Sequence, residues 1–142
     1  MNHKDLRLML ESMLRFAEQR QRNGGSVLPF AAMLTREGNV AQLTSPGRKT
    51  QPSAQESIRV LEGGLHTLTR MGRCKAVGIC FDTRSNSAPE QTSREGIHIL
   101  LEHQDGSAYQ VVLPYVENKP AHFVYRDSIA KASQPRFFVI AQ

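Results

Sequence analysis

Five histidines, His3, His66, His98, His103 and His122, and two cysteines, Cys74 and Cys80, are the residues whose types could do metal or nucleophilic chemistry. Their spacing argues against both. His98 and Glu102 fall four apart in a segment that alternates like a strand, which separates them by roughly 13 Å, too far to share one ion. Cys74 and Cys80 are six apart near one strand, roughly 20 Å at about 3.3 Å per residue. A disulfide between them is excluded by that span, and the reading is two buried, reduced thiols. The chain contains no H-E-x-x-H, G-x-S-x-G, phosphate-loop or G-x-G-x-x-G pattern. The sequence therefore predicts no metal ligand set and no cofactor. The best constellation for proton transfer is Asp82, His98 and Tyr115, three polar residues in or at the ends of strands that would have to gather at one rim. Polar residues at strand ends more often cap turns, so this trio is a secondary reading.

The elements that would position these residues centre on 76–115. Ala76–Asp82, Ile97–His103 and Tyr109–Tyr115 read as three strands of one sheet. A three-residue turn, Gln104-Asp105-Gly106, sets the register of the last two. It pairs Leu101 with Tyr109, Ile99 with Val111 and Ile97 with Leu113, which collects the apolar residues on one face. Gly106 then takes the left-handed position of a bulged type I turn. Val77, Ile79 and Phe81 are expected to extend that apolar face. Ala76, Gly78 and Cys80 leave a small-residue face on which a helix can lie closely.

The remaining elements follow from periodicity. Residues 4–22 read as an amphipathic helix with Leu6, Leu10, Met13, Leu14 and Ala17 on one face, stopped by Asn23-Gly24-Gly25. Residues 27–35 and 40–44 form a first hairpin around Thr35-Arg36-Glu37-Gly38. A polar loop over 45–52 leads to Ser53-Ala54-Gln55-Glu56, a capping box that opens a second helix with Ile58, Leu61, Leu65 and Leu68 on one face and Gly72 as its cap. Gly63-Gly64 weakens that helix, which suggests close packing on the small-residue face or a kink. Residues 83–95 are polar and predict an exposed, flexible loop. Phe123–Tyr125 reads as a strand and 127–132 as a helical turn. The apolar run 136–140 must dock on the core or on a partner.

The chain has 142 residues, 39% of them hydrophobic and 22% charged, with a net charge of +5. These values suit one α+β domain over 1–142 and leave no apolar run near the roughly 20 residues of a membrane helix. The charged start, Met1 to Arg7, lacks the uninterrupted apolar core of a signal peptide, so a cytoplasmic location with no membrane partner is expected. Positive charge permits nucleic-acid binding. With no Trp, no aromatic RNA-binding strand and no zinc-finger spacing, that reading is not favoured.

Pro29-Phe30-Ala31-Ala32 before a hairpin resembles the opening of zinc-dependent nucleoside and tRNA deaminases, but the next helix begins Ser53-Ala54-Gln55-Glu56 without His, and the cysteines lack the required spacing. That activity is rejected. The element order, helix, two strands, helix, three or more strands, is similar to roadblock and profilin-like domains. Ala76–Asp82, Leu101–Gly106 and Pro114-Tyr115 together resemble a group of small hypothetical bacterial proteins, which implies no activity. The expectation is an antiparallel sheet of about five or more strands flanked by two helices. Its function is read as non-enzymatic protein interaction, with self-association as a homodimer or other homo-oligomer. A small-molecule or hydrolytic site at Asp82, His98 and Tyr115 is the alternative, followed by weak nucleic-acid binding.

Overall fold

The computed structural model describes residues 1–24, 27–44, 54–83, 96–120 and 122–138. The expected loops at 45–52 and 83–95 fall almost wholly outside these residues, as do Ile140 and Val139 of the final apolar run. The elements are α1 (Lys4–Gly24), β1 (Phe30–Thr35), β2 (Val40–Thr44), α2 (Ala54–Arg70), β3 (Cys74–Asp82), β4 (Gly96–His103), β5 (Ala108–Lys119), β6 (His122–Tyr125) and β7 (Ile129–Ala132). The sheet order is β2-β1-β3-β4-β5-β6, every pairing is antiparallel, and β7 also pairs with β5. β2 and β3 flank β1, so the chain must cross over β1 between them, and α2 makes that crossing.

The β4–β5 hairpin has the register that burial and turn chemistry demand: Leu101 opposite Tyr109, Ile99 opposite Val111, Ile97 opposite Leu113. Gly106 and Gly38 close the two hairpins at φ 94° and 93°, and Gly72 caps α2 at φ 66°, all in the region where a Cβ is unfavourable.

The face of β3 differs from expectation. Gly78 pairs with Leu101, Cys80 with Ile99 and Asp82 with Ile97. Directly opposed residues share a face, so Ala76, Gly78 and Cys80 lie with the apolar side of the hairpin, and Val77, Ile79 and Phe81 lie on the other side. Turn chemistry fixes β4 against β5, but no short turn joins β3 to β4, and the local pattern leaves that register open. The small residues do admit a helix, and it is α1. Leu6, Met9, Met13 and Ala17 are fully buried against this face, and a Cβ on Gly78 would stand 2.7 Å from Met13 Sδ.

Helix α2 covers the opposite face, with Leu61 and Leu65 against Ala31, Val77 and Ile79. Gly63 and Gly64 are exposed and meet nothing within 4 Å, so they serve neither close packing nor the small-residue face. Both faces are thus apolar and both carry a helix, which is why the central strand β3 is buried almost throughout.

The segment expected as a helical turn is the strand β7. Together with β6 it runs along the outer edge of β5, broken at 126–128 beside Pro114, which has no N–H to donate. The chain then crosses the α2 face, where Phe137 is buried beside α2 and Thr69 Oγ1 donates to its carbonyl at 3.0 Å. The apolar run expected to need a docking place has one, on the core itself, as far as Phe138. Cys74 and Cys80 are free and buried, and desolvation pushes both thiols above their ordinary range.

Candidate functional site

Polar side chains collect at opposite ends of the face that α1 covers. At one end Asp82 is buried at the close of β3. Tyr115, on β5, donates its hydroxyl to Asp82 Oδ1 at 2.6 Å, and the Val27 N–H lies 3.3 Å from Oδ2. The Tyr115 and Tyr125 rings are 6.2 Å apart, and Tyr125 donates to Gln21 Oε1. Burial raises the Tyr125 phenol, and the charges of Glu18 and Asp82 add to that shift. Gln21 is fully buried, and among the described residues its Nε2 finds no acceptor.

The predicted trio is therefore divided. Asp82 and Tyr115 meet, but His98 does not join them. His98 pairs with Phe81 on the far side of the sheet, their rings stacked 5.1 Å apart with planes 5° from parallel. Adjacent residues of a strand point to opposite faces, so Asp82 and Phe81, and with Phe81 the histidine, cannot serve one substrate. Gln21 and Tyr125 are the members that sequence reasoning missed. Gln21 carries a usable signal, since it continues the buried α1 stripe Leu6, Met9, Met13, Ala17 with a polar group. Asp82, with a buried hydroxyl and a backbone N–H as partners, is built as a tie between β3, β5 and the chain entering β1.

At the other end, β4 runs into its hairpin with Glu102 and His103, which point to opposite faces. Glu102 is buried and accepts the backbone N–H groups of Arg136, Phe137 and Phe138, those of Phe137 and Phe138 at 2.8 and 2.6 Å to Oε2. Arg136 also pairs with Glu62 of α2 at 2.8 Å. A carboxylate that takes several N–H groups is a strong anchor, and here it holds the segment 133–138 onto the sheet.

His103 holds the start of α1 on the other face. Its Nε2 lies 2.9 Å from Asp5 Oδ2, and its Nδ1 lies 3.3 Å from Asp105 Oδ1. His3 Nε2 lies 2.8 Å from Asp105 Oδ2, and the two imidazole centroids are 4.2 Å apart. The Ser107 N–H donates to Asp105 Oδ1 at 2.8 Å and orients the carboxylate. The hydrogen bond from His103 lowers the Asp5 carboxyl below its ordinary value, against a smaller opposing effect of burial. For Asp105 desolvation pushes upward, but the Ser107 N–H and the His3 contact outweigh it and hold the carboxyl far below the usual range. Sequence reasoning missed this cluster because it joins the start of the chain to the β4–β5 turn, 102 positions away between His3 and Asp105.

No family model, curated protein or solved structure matches the chain. Among the described residues no helix is long and apolar enough to cross a membrane.

Proposed function

We propose that the protein is a non-enzymatic interaction domain that self-associates, and that the edge strand β2 is its pairing surface. The observation that carries this reading is the contrast between the two outer strands. The β6–β7 edge is interrupted at 126–128 and carries Arg126, Asp127 and Lys131, the charges and irregularity by which sheets discourage edge-to-edge pairing. β2, Val-Ala-Gln-Leu-Thr, has no charge, no proline and no bulge against β1. Among the described residues no strand pairs with its other side. Val40 packs on the α1-side core and Leu43 on the α2-side core, so both of its faces are already supported. What β2 has left to offer is backbone hydrogen bonding, and a second copy related by a twofold axis supplies the matching strand.

Light scattering of the purified chain at micromolar concentration tests the reading. The expected result is a dimer. Gln42 is exposed, so Gln42→Lys spares the core while placing like charges near one another across a twofold β2 pairing. This variant is expected to run as a folded monomer. A wild-type monomer, or a dimer unmoved by Gln42→Lys, overturns the assignment.

A further inference from the structure

The cluster at the β4–β5 turn has more organisation than an anchor requires. We propose that His3, His103 and Asp105 form a binding site for a divalent transition-metal ion of the zinc class. One donor atom from each residue can be chosen so that all three lie within 4.8 Å of one another. A tetrahedral ion with nitrogen and oxygen ligands at about 2.0–2.2 Å needs its donors roughly 3.3–3.5 Å apart. Closing the cluster from that spread to tetrahedral size takes side-chain adjustments of roughly 1 Å shared among His103 and Asp105 at the β4–β5 turn and His3 just before α1.

The neighbours of the donors support the assignment. Asp5 accepts from His103 Nε2 at 2.9 Å, which places the ring proton on Nε2 and leaves Nδ1 as the lone-pair nitrogen facing Asp105. A carboxylate behind a ligating imidazole is the usual second partner in metal sites, because it fixes both the tautomer and the ring plane. The Asp105 N–H also points at Nδ1, at 3.1 Å, and an ion would replace that contact. The Ser107 N–H holds Asp105 Oδ1 and leaves Oδ2 turned to His3 Nε2. His3 Nε2 gives its proton to Asp105 Oδ2 at 2.8 Å, and its Nδ1 is 3.5 Å from the Leu6 N–H, too long to hold that tautomer, so the proton can pass to Nδ1 and free Nε2 for an ion.

Two imidazoles and one carboxylate are borderline-hard donors that suit Zn²⁺ and its neighbours rather than Mg²⁺ or Ca²⁺, which prefer oxygen. The side chains of His103 and His3 are 9% and 18% exposed and that of Asp105 is 49% exposed, so an ion can enter from the Asp105 side and keep a water as its fourth ligand. Bound there, the ion would clamp the start of α1 to the β4–β5 turn.

The test is calorimetric titration of the untagged, chelator-stripped full chain with Zn²⁺, and visible absorption of the Co²⁺-loaded form. One ion per chain is expected, with the absorption bands of a four-coordinate Co²⁺ centre and a raised Tm for the Zn²⁺-loaded protein. His3→Ala and Asp105→Asn each weaken binding tenfold or more, and Asp5→Asn weakens it about tenfold through His103. His122→Ala, which alters an exposed histidine on β6, leaves affinity unchanged. Circular dichroism confirms that each variant is folded, so the loss of affinity in His3→Ala, which also removes the contacts of His3 with Asp105 and His103, is read on a folded chain. Absence of saturable one-to-one binding, or binding that survives both His3→Ala and Asp105→Asn, overturns the proposal and leaves the cluster as a histidine–carboxylate anchor.

Discussion

Asp82 and Asp105 sit at opposite ends of the same helix-covered face, and each is held by a ring and a backbone N–H. They differ in what surrounds them. Asp82 is sealed under α1 with a tyrosine that can only donate while the carboxylate accepts, so its partners are committed to holding strands together. Asp105 is half exposed among imidazoles that can exchange a proton for an ion. Burial turns the same carboxylate into a structural tie in one place and keeps it chemically accessible in the other.

The largest expected effect separates these two ends. Asp82→Ala takes the carboxylate away from the buried Tyr115 hydroxyl and from the Val27 N–H and should cost about 3 kcal/mol, at roughly 1–3 kcal/mol for each donor affected. Asp105→Ala, at a half-exposed site, should cost about 1 kcal/mol or less. Urea midpoints at unchanged m-value measure both. Equal losses would break the comparison.

Glu102→Gln comes next. It puts an amide NH2 where a carboxylate oxygen now faces backbone N–H groups, and should cost about 2 kcal/mol. Because Glu102 anchors 133–138, the loss should appear as faster tryptic cleavage after Arg136, whereas Asp105→Ala should leave that rate unchanged.

The smallest effect is in acid. Asp5 and Asp105 have lowered folded-state pKa values, so each favours the folded state fully above the unfolded carboxyl value near 4. That contribution is lost as pH falls through the lowered folded values, because the unfolded chain takes up protons first. Stability should therefore fall with acid below about pH 4, and Asp105→Asn should flatten that limb. A parallel curve for Asp105→Asn would show that the cluster adds nothing to the folded state.

Several local features were legible before any coordinates. Both hairpin turns, the β4–β5 register, the extent of β2 and the glycine cap of α2 follow from turn residues and alternation, which are properties of neighbours in sequence. The pairing of β3 with β4 was not legible, since the stretch between Asp82 and Gly96 is too long for turn chemistry to set a register and both faces of β3 are apolar. That slip of one residue concerns Asp82: it lies on the Ile97 face with Tyr115, while His98 keeps the face that the hairpin register predicts. β7 was misread because Ile129–Ala132 has no alternation of its own and is a strand only by virtue of β5 beside it.

By itself the sequence determined which stretches alternate, where the chain turns and that no local catalytic signature is present, because these depend on chemistry within a few residues. The tertiary structure alone decided that Asp82 finds Tyr115 and loses His98, that Glu102 and His103 hold different parts of the chain on opposite faces, and that His3 meets Asp105. Those outcomes depend on which face each strand buries, and that is settled only when helices α1 and α2 compete for the two apolar sides of one sheet.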